Sequence, residues 1–488
     1  MILAGFGWFV SYAFSNNWIG PVGRIVLGFV SGALITLFGT YRSSKSVVQG
    51  NTFSILGSSL VIITALAGQH VYNFFSPIAI LSIIFIVCGY IAFFAVVTSN
   101  QKLALYGILA SLIAPYFSGT ILVGTVSFYA YLLIISLASI WVAGFKKWRE
   151  PIVIGITGVL LYSLQAYDAG MGLSAQKYSI LFVVYAISLS YLCVSIWSLI
   201  QNKIKASNMD IYLAIANTSI LLIFTTRIIA PEYQSLVIAC WMLIYAFSGF
   251  FVFMKTKNVL LFYVHALVSI ALLATATSIE LSGQTLVIAL AIETAIISIA
   301  SYLVTGKMKT AETLGLLTFV PFLMSVSSLI SSKWDTGIFH SDFFVLVIMA
   351  LVYMALGALY QTRNSDHESY FKPAHISFIL ASFYLYALVW LSLQSVFLNR
   401  DSAVFIALLI YTIIGLSTHF IGLFKHNKVL KNYGITLLTF VVIRLITIDV
   451  WNMDISLRVT TFIVLGALFV STAFISKRQS ALNNPPQI

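Results

Sequence analysis

The most unusual side chain in this sequence is Glu293, which lies near the middle of an almost wholly apolar stretch, QTLVIALAIETAIISIASYLV. A carboxylate at the centre of a membrane span costs about 2.5–3.5 kcal/mol on insertion scales, so it should not face lipid. Two interpretations stay open, besides a wrong assignment of the span. The acid is either protonated and hydrogen-bonded to a neighbouring helix, or it borders water, a cation or a ligand and serves as a proton or ligand site.

The helix that carries Glu293 has a stripe of small residues suited to close helix contact. The stripe consists of Ala291, Thr294, Ala295, Ser298 and Ser301. Glu293 lies well away from its centre, on the side of Leu286, Leu290, Ile297 and Ala300. We therefore expect this helix to be enclosed on both faces.

A second group of candidates consists of arginines near the ends of apolar segments: Arg24, Arg227, Arg444 and Arg458, with Asp449 at a similar level. Guanidinium groups bind phosphate or carboxylate through two parallel hydrogen bonds. These arginines could line a cavity for an anionic headgroup. Alternatively they have structural roles, in which they snorkel towards the headgroups or form local pairs such as Arg444 with Asp449.

Other catalytic chemistry is missing from the sequence. It contains no Walker loop, dinucleotide glycine motif, HExxH, GxSxG, Cys pair or EF-hand loop, so we expect neither an enzyme nor a bound cofactor or metal. The acids of the predicted outer loops are single residues in short connections: Asp168, Glu232, Glu280, Asp335, Asp342, Asp401 and Asp454. The thiols of Cys88, Cys193 and Cys240 are expected to fill the core, and His265 and His419 to bond between helices.

The composition requires a membrane around these groups. Of the 488 residues, 60% are hydrophobic and 8% charged, with a mean hydropathy of +1.01. Soluble domains carry about 25% charged residues. The formal charge of +12 is scattered over short loops, which argues against a nucleic-acid partner and for membrane topology.

The apolar segments predict an all-α, polytopic membrane protein of about eighteen spans, each near the ~20 residues that a bilayer requires. They cover residues 2–14, 22–41, 52–69, 78–97, 103–117, 125–144, 152–167, 178–200, 211–230, 235–254, 259–279, 285–305, 313–331, 343–360, 374–393, 403–424, 430–450 and 457–476. The segment 2–14 is expected to be a short span rather than a signal peptide. Residues 1–476 form one predicted membrane domain and 477–488 a cytoplasmic tail.

Basic residues alternate between connections and so predict the topology. Of the 26 lysines and arginines, all but Arg24, Lys177, Arg227, Lys333, Arg400, Arg444 and Arg458 fall in even-numbered connections. The positive-inside rule then places both termini in the cytoplasm, in the plasma (inner) membrane. The candidate arginines, Asp449 and Glu293 all lie towards the extracytoplasmic side.

The sequence also repeats at a period of about fifty residues. QSLVIACWMLIY begins at Gln234 and QTLVIALAIETA at Gln284, and each opens a helix that ends in a basic loop. Fifty residues make one helical hairpin. The copies share one orientation, which favours stacked antiparallel hairpins over an inverted-repeat transporter.

These features resemble a known family. NWIGPVGRIVLG, LASLIAPYFSG, the paired helices ending in basic loops, and VIRLITIDVWNMDISLRVTTFIVLGAL are similar to bacterial membrane proteins grouped as domain of unknown function 2339. The resemblance implies that Trp18, Pro21, Arg24, Pro115, Asp449 and Arg458 occupy recurring positions, and that Ala291–Glu293 matches a recurring small-apolar-Glu element. The preceding repeat has Leu243 at the equivalent place of Glu293. The family implies no settled activity.

Three functions are compatible with this pattern. The first is a transporter or flippase-like protein that handles an anionic envelope or lipid-linked substrate from an outward-facing cavity, with membrane lipids as neighbours. The second is a non-catalytic scaffold of an envelope or signalling complex, and the third is a membrane-embedded transferase. The first function requires a water-filled path, the second does not, and the third requires a path that ends at paired catalytic groups.

Overall fold

Helices account for the regular structure in a computed structural model of the protein, which describes residues 19–117, 126–146, 148–168, 176–202, 207–361, 372–397, 399–425 and 427–483. The described residues contain no strand. The all-α polytopic fold predicted from the sequence is confirmed.

The chain divides into two compact units, residues 1–276 and 277–488. The helices of the first are α1 Pro21–Ser43, α2 Val47–His70, α3 Pro77–Val97, α4 Gln101–Phe117, α5 Val126–Lys146, α6 Glu150–Asp168, α7 Lys177–Asn202, α8 Asn208–Ile228, α9 Pro231–Thr256 and most of α10 Val259–Glu280. Those of the second are α11 Gly283–Thr305, α12 Met308–Gly315, α13 Phe319–Leu329, α14 Ser341–Gln361, α15 Pro373–Val396, α16 Arg400–Phe424, α17 Lys428–Arg444, α18 Val450–Asn452 and α19 Ile455–Asn483.

The helices coincide with the predicted spans throughout the described part of the chain. There, 14 helical segments are long and apolar enough to cross a membrane, and α6 and α19 contain shorter apolar stretches. The predicted span 2–14 lies outside the described residues. The total of eighteen spans, the single membrane domain and the stacked hairpin repeats therefore stay predictions.

Each unit buries its own apolar residues. In the first, the largest cluster is built from α4 to α8 around side chains such as Phe128, Tyr191 and Phe224. In the second, α11, α14 and α15 share a cluster that includes Val287, Met349 and Tyr384. Large apolar side chains also remain exposed along most helices, as expected for helices that face lipid.

Helices α1 and α2 approach closely because small residues line their contact. Gly32, Thr36, Gly39 and Ser43 on α1 are buried, as are Gly50, Ser54 and Gly57 on α2, in a spacing of three and four residues. A side chain at Gly57 would clash with the backbone nitrogen of Thr36. Without a hydrophobic force between helices in lipid, such close backbone packing is a main source of association.

Three described segments of the second unit depart from α geometry, one of which is the 3₁₀ turn Ser332–Asp335 between α13 and α14. A 3₁₀ turn at Leu316–Thr318 separates α12 from α13, and Pro321 follows in the first turn of α13. Proline has no N–H to continue the ladder and its ring clashes with the carbonyl four residues earlier, which accounts for the break. A π-helical segment, Leu445–Asp449, follows α17.

The cysteines differ from the expectation that all three fill the core. Cys88 is buried, but Cys193 and Cys240 are exposed, and all three are free thiols. Cysteine is a small apolar residue, so an exposed thiol on a transmembrane helix is compatible with contact to lipid.

We predict that Gly57→Ala destabilises the protein by about 1–3 kcal/mol, because the methyl group forces α1 and α2 apart. Gly89→Ala is the matched control, since a methyl group at the exposed Gly89 meets nothing within 4 Å. Thermal unfolding of the detergent-purified variants measures both changes. Equal unfolding temperatures for the two variants would contradict the close-packing account.

Candidate functional site

The candidate residues are distributed over both units. Arg24 and Arg227 belong to the first unit, whereas Glu293, Arg444, Asp449 and Arg458 belong to the second. Each unit is considered by itself, so a cavity lined by all four arginines stays a prediction.

Glu293 is half-buried on α11 and accepts a hydrogen bond from the Thr277 hydroxyl of α10. The predicted small-residue stripe is present, because Ala291, Thr294, Ala295, Ser298 and Ser301 are all buried. On the Glu293 side, Leu286, Leu290 and Ile297 are half-buried and Ala300 is exposed, so this face is enclosed only in part. Ile292 and Ile296, on a third side of α11, are exposed. Glu293 therefore lies at the flank of a packed face, with a protein partner.

Arg444 and Asp449 form the predicted local pair at the π-helical segment. Arg444 Nε donates to Asp449 Oδ2 over 3.2 Å. On an α-helix, at about 100° per residue, positions five apart point about 140° away from each other. The i→i+5 winding of the π segment brings these two positions back to one side of the helix. The irregular winding and the ion pair thus support each other.

Aromatic side chains surround the Arg444 guanidinium. Its Nη1 donates to the Tyr386 hydroxyl, and its carbon lies 3.8 Å from the centre of the Trp390 ring. Tyr386 and Trp390 are four residues apart on α15, so they share one face. Tyr411 of α16 stacks on Tyr386 at 4.0 Å between ring centres, and its hydroxyl donates to the Tyr386 carbonyl. Arg444, Asp449, Tyr386, Trp390 and Tyr411 are called the Arg444 cluster below.

The Arg444 cluster is nearly sealed and balanced in charge. The Arg444 side chain is 11% exposed and that of Asp449 5% exposed. A guanidinium with a carboxylate on one side and an indole face on another gains an ion pair and a cation–π contact. The arrangement can hold an anion only if that anion replaces Asp449 or uses the remaining guanidinium N–H groups.

Further charged groups adjoin the cluster at the start of α19. Arg458 Nη2 donates to the Met453 carbonyl over 2.9 Å, and its buried Nε has no hydrogen-bond partner among the described residues. The backbone N–H of Met453 in turn donates to the Asp449 carbonyl. Arg400 lies close enough to Asp449 to act on it electrostatically. Arg400 is therefore a further guanidinium group near the pair, and Arg458 contacts the turn that follows the π segment.

The two arginines of the first unit have different surroundings. Arg24 is half-buried; its Nε donates to the Ile19 carbonyl over 2.9 Å, and its Nη1 lies 3.5 Å from the Tyr72 hydroxyl. Arg227 is exposed in the last turn of α8. These positions near helix ends agree with the structural interpretation of both residues.

The sequence indicated His265 as an interhelical hydrogen-bonding residue, and it is fully buried in the first unit. Its two ring nitrogens lie 2.9 Å from the hydroxyls of Ser195 on α7 and Ser248 on α9. His265 thus joins three helices through polar contacts.

The aromatic partners of Arg444 and one ion pair were not identified from the sequence. Arg149 donates to Asp210 over 3.0 Å and to Ser207, which links the start of α6 to that of α8. Asp210 also accepts from Ser198 of α7 and from the backbone of Ser207. The Ser207–Asp210 spacing is a capping box, a signal that was available in the sequence.

We predict that Thr277→Val destabilises the protein by about 1–3 kcal/mol, because it leaves the Glu293 carboxyl without its partner. Glu293→Gln should cost less, since an amide oxygen still accepts from Thr277. Thr439→Val serves as the control, because Thr439 is exposed and bonds only within its own helix. Thermal unfolding in detergent ranks the variants. If Thr277→Val and Thr439→Val behave alike, the Thr277 bond does not hold Glu293.

Comparison with known proteins agrees with this architecture. Residues 1–409 match the family described as predicted membrane protein DUF2339. The match ends before Arg444, Asp449 and Arg458, so it does not extend to the recurring positions expected there. The curated proteins and the solved structures contain no match to the chain. The match spans far more than half of the 488 residues, and the chain therefore belongs to the DUF2339 family of membrane proteins.

Proposed function

We propose that this protein binds an anionic, phosphate-bearing lipid or lipid-linked substrate of the cell envelope at the Arg444 cluster and moves it between membrane environments. It acts as a transporter or flippase-like protein and catalyses no change in the substrate. The observation that carries the proposal is the Arg444–Asp449 pair at a π-helical segment within a membrane helix.

An anion could bind at this site by replacing Asp449 as the partner of Arg444. A phosphate group that displaces Asp449 replaces one charge-assisted pair at Arg444 with another. The guanidinium therefore never has to be buried without a partner. π segments are rare and often occur at functional sites. Rewinding of Leu445–Asp449 to α geometry would turn Asp449 away from Arg444.

The neighbouring arginines add to the positive potential at the same end of the helices. Arg458 has a buried Nε without a hydrogen-bond partner in the described structure, and Arg400 lies near Asp449. Two or three guanidinium groups suit a bound phosphate better than they suit a single bound carboxylate. Following the charge alternation of the loops, we place this end on the extracytoplasmic side and both termini in the cytoplasm of the plasma membrane.

A non-catalytic scaffold is the second candidate. It is favoured by the internal pairing of intramembrane polar groups, since Glu293 bonds to Thr277 and His265 contacts Ser195 and Ser248. A scaffold needs these bonds only for helix packing. The two functions differ in whether Arg444 can release Asp449 to an anion.

We predict opposite effects of two substitutions on the retention of phosphatidylglycerol, measured by native mass spectrometry of the purified protein. Asp449→Asn removes the competing carboxylate from Arg444 and should raise retention about tenfold or more, as for a charge-assisted bond of about 1.5–3 kcal/mol. Arg444→Gln should reduce retention below that of the wild type.

Arg149→Gln is the matched control, because it breaks a partly buried ion pair in the other unit. It should leave retention unchanged. If Asp449→Asn and Arg444→Gln both fold and retain the same amount of lipid as the control, the pair is structural and the scaffold function replaces the proposal.

A further inference from the structure

Asp342 has a carboxylate that is enclosed in protein without hydrogen bonds. It lies in the first turn of α14, its side chain is 0% exposed, and neither of its oxygens has a hydrogen-bond partner among the described residues. Its position in a short predicted loop gave no sign of this burial. Taking a carboxylate out of water is unfavourable unless positive charge or hydrogen-bond donors compensate it. A cation in contact with the carboxylate would add to the compensation that Lys333 provides from 3.7 Å.

The groups around this carboxylate are mostly oxygen-bearing side chains. Ser328 at the end of α13, Ser331 before the following 3₁₀ turn, and Gln284 at the start of α11 lie close enough to act on it as hydrogen-bond donors. None of them reaches normal hydrogen-bond geometry. The Ser328 hydroxyl is itself buried and has no hydrogen-bond partner in the described structure. The carbonyl end of α13 also favours positive charge. Oxygen ligands of this kind suit hard cations.

The nearest basic side chain, Lys333, forms only a long ion pair with Asp342. Lys333 Nζ lies 3.7 Å from Oδ2, beyond hydrogen-bond range, donates to the Ser341 hydroxyl, and has a side chain that is 48% exposed. His340 Nδ1 lies 3.6 Å from the same oxygen but accepts the Asp342 backbone N–H over 3.2 Å. In this arrangement Nδ1 offers no N–H to the carboxylate.

The donor set also restricts the kind of ion. No group of three or more His, Cys, Asp or Glu side chains within the described ranges could hold a metal ion, which argues against zinc and its relatives. One carboxylate balances one positive charge, so a divalent ion would remain undercompensated. The concentrated charge of a carboxylate favours a small alkali ion over a large one.

We propose that Asp342, Ser328, Ser331 and Gln284 bind a monovalent alkali cation of the size of sodium. The ion joins the start of α11, the end of α13 and the start of α14 within the second unit. It stabilises that unit by compensating the buried carboxylate. The site shares no residue with the Arg444 cluster, so the proposal does not depend on the proposed transport function.

The test compares thermal unfolding of the full-length, detergent-purified protein in sodium, potassium and choline chloride at equal ionic strength. We expect sodium to raise the unfolding temperature by about 2 °C over choline at a few times the dissociation constant, with a smaller rise in potassium. Asp342→Asn should abolish the difference between salts. Asp335→Asn, which alters an exposed acid in the adjacent 3₁₀ turn, should preserve it.

A second variant keeps the test decisive if Asp342→Asn does not fold. Lys333→Met removes the ammonium group nearest to Asp342. With sodium as the compensating ion, this variant still folds and needs less sodium for the same stabilisation. The proposal is overturned if the wild type and Lys333→Met each unfold at one temperature in all three salts, or if Asp342→Asn retains the sodium effect.

Discussion

The structure depends on the absence of water as a partner for polar groups within the membrane. In hydrocarbon, a polar side chain must be satisfied by other parts of the protein. Arg444 pairs with Asp449, Glu293 accepts from Thr277, and both nitrogens of His265 contact serine hydroxyls. The Thr277–Glu293 bond, the contacts of His265 and the Arg444–Tyr386 bond constrain where helices meet. These few polar residues thus specify contacts that apolar packing alone would leave interchangeable.

Such pairs stabilise the fold and can also bind ligands, and the two roles differ in whether a pair is exchangeable. In the Thr277–Glu293 bond, a neutral hydroxyl donates to a carboxyl group at the edge of the packed face of α11. The Arg444–Asp449 pair combines full charges, an indole face and an irregular helical turn. An external phosphate can compete for the second pair by the same chemistry that forms it. That difference is the reason for assigning function to Arg444 rather than to Glu293.

Local features of the sequence predicted much of this structure. Apolar length predicted the helices, and the small residues of the Glu293 helix predicted its buried face, because both depend on neighbours within a few turns. The Arg444–Asp449 pair could also be predicted, because the two residues are only five positions apart in the sequence. The predicted enclosure of both faces of α11 is found only in part, because the small-residue face is buried and the Glu293 side is half-buried. A periodic pattern shows which side is suited to packing but not how many helices are available to cover the other.

Contacts between distant segments could not be read in the same way. Nothing local in the sequence connects Tyr386 and Trp390 with Arg444 on another helix. The burial of Asp342 depends on the ends of three helices meeting. Pro321 was visible in the sequence, but its effect, a 3₁₀ turn inside one predicted span, depends on how the broken helix packs.

The most direct test of the central claim is whether an aqueous probe reaches the Arg444 cluster. Leu393 is partly exposed and packs one turn beyond Trp390 on α15. With Cys88, Cys193 and Cys240 replaced, Leu393→Cys is treated with a membrane-impermeant thiol reagent outside intact cells. Asp335→Cys, in a predicted outer loop, reports that the reagent reaches that side. We predict that Leu393→Cys reacts and that glycerol phosphate slows the reaction. No reaction at Leu393→Cys, with normal labelling of Asp335→Cys, would contradict an outward-facing anion site.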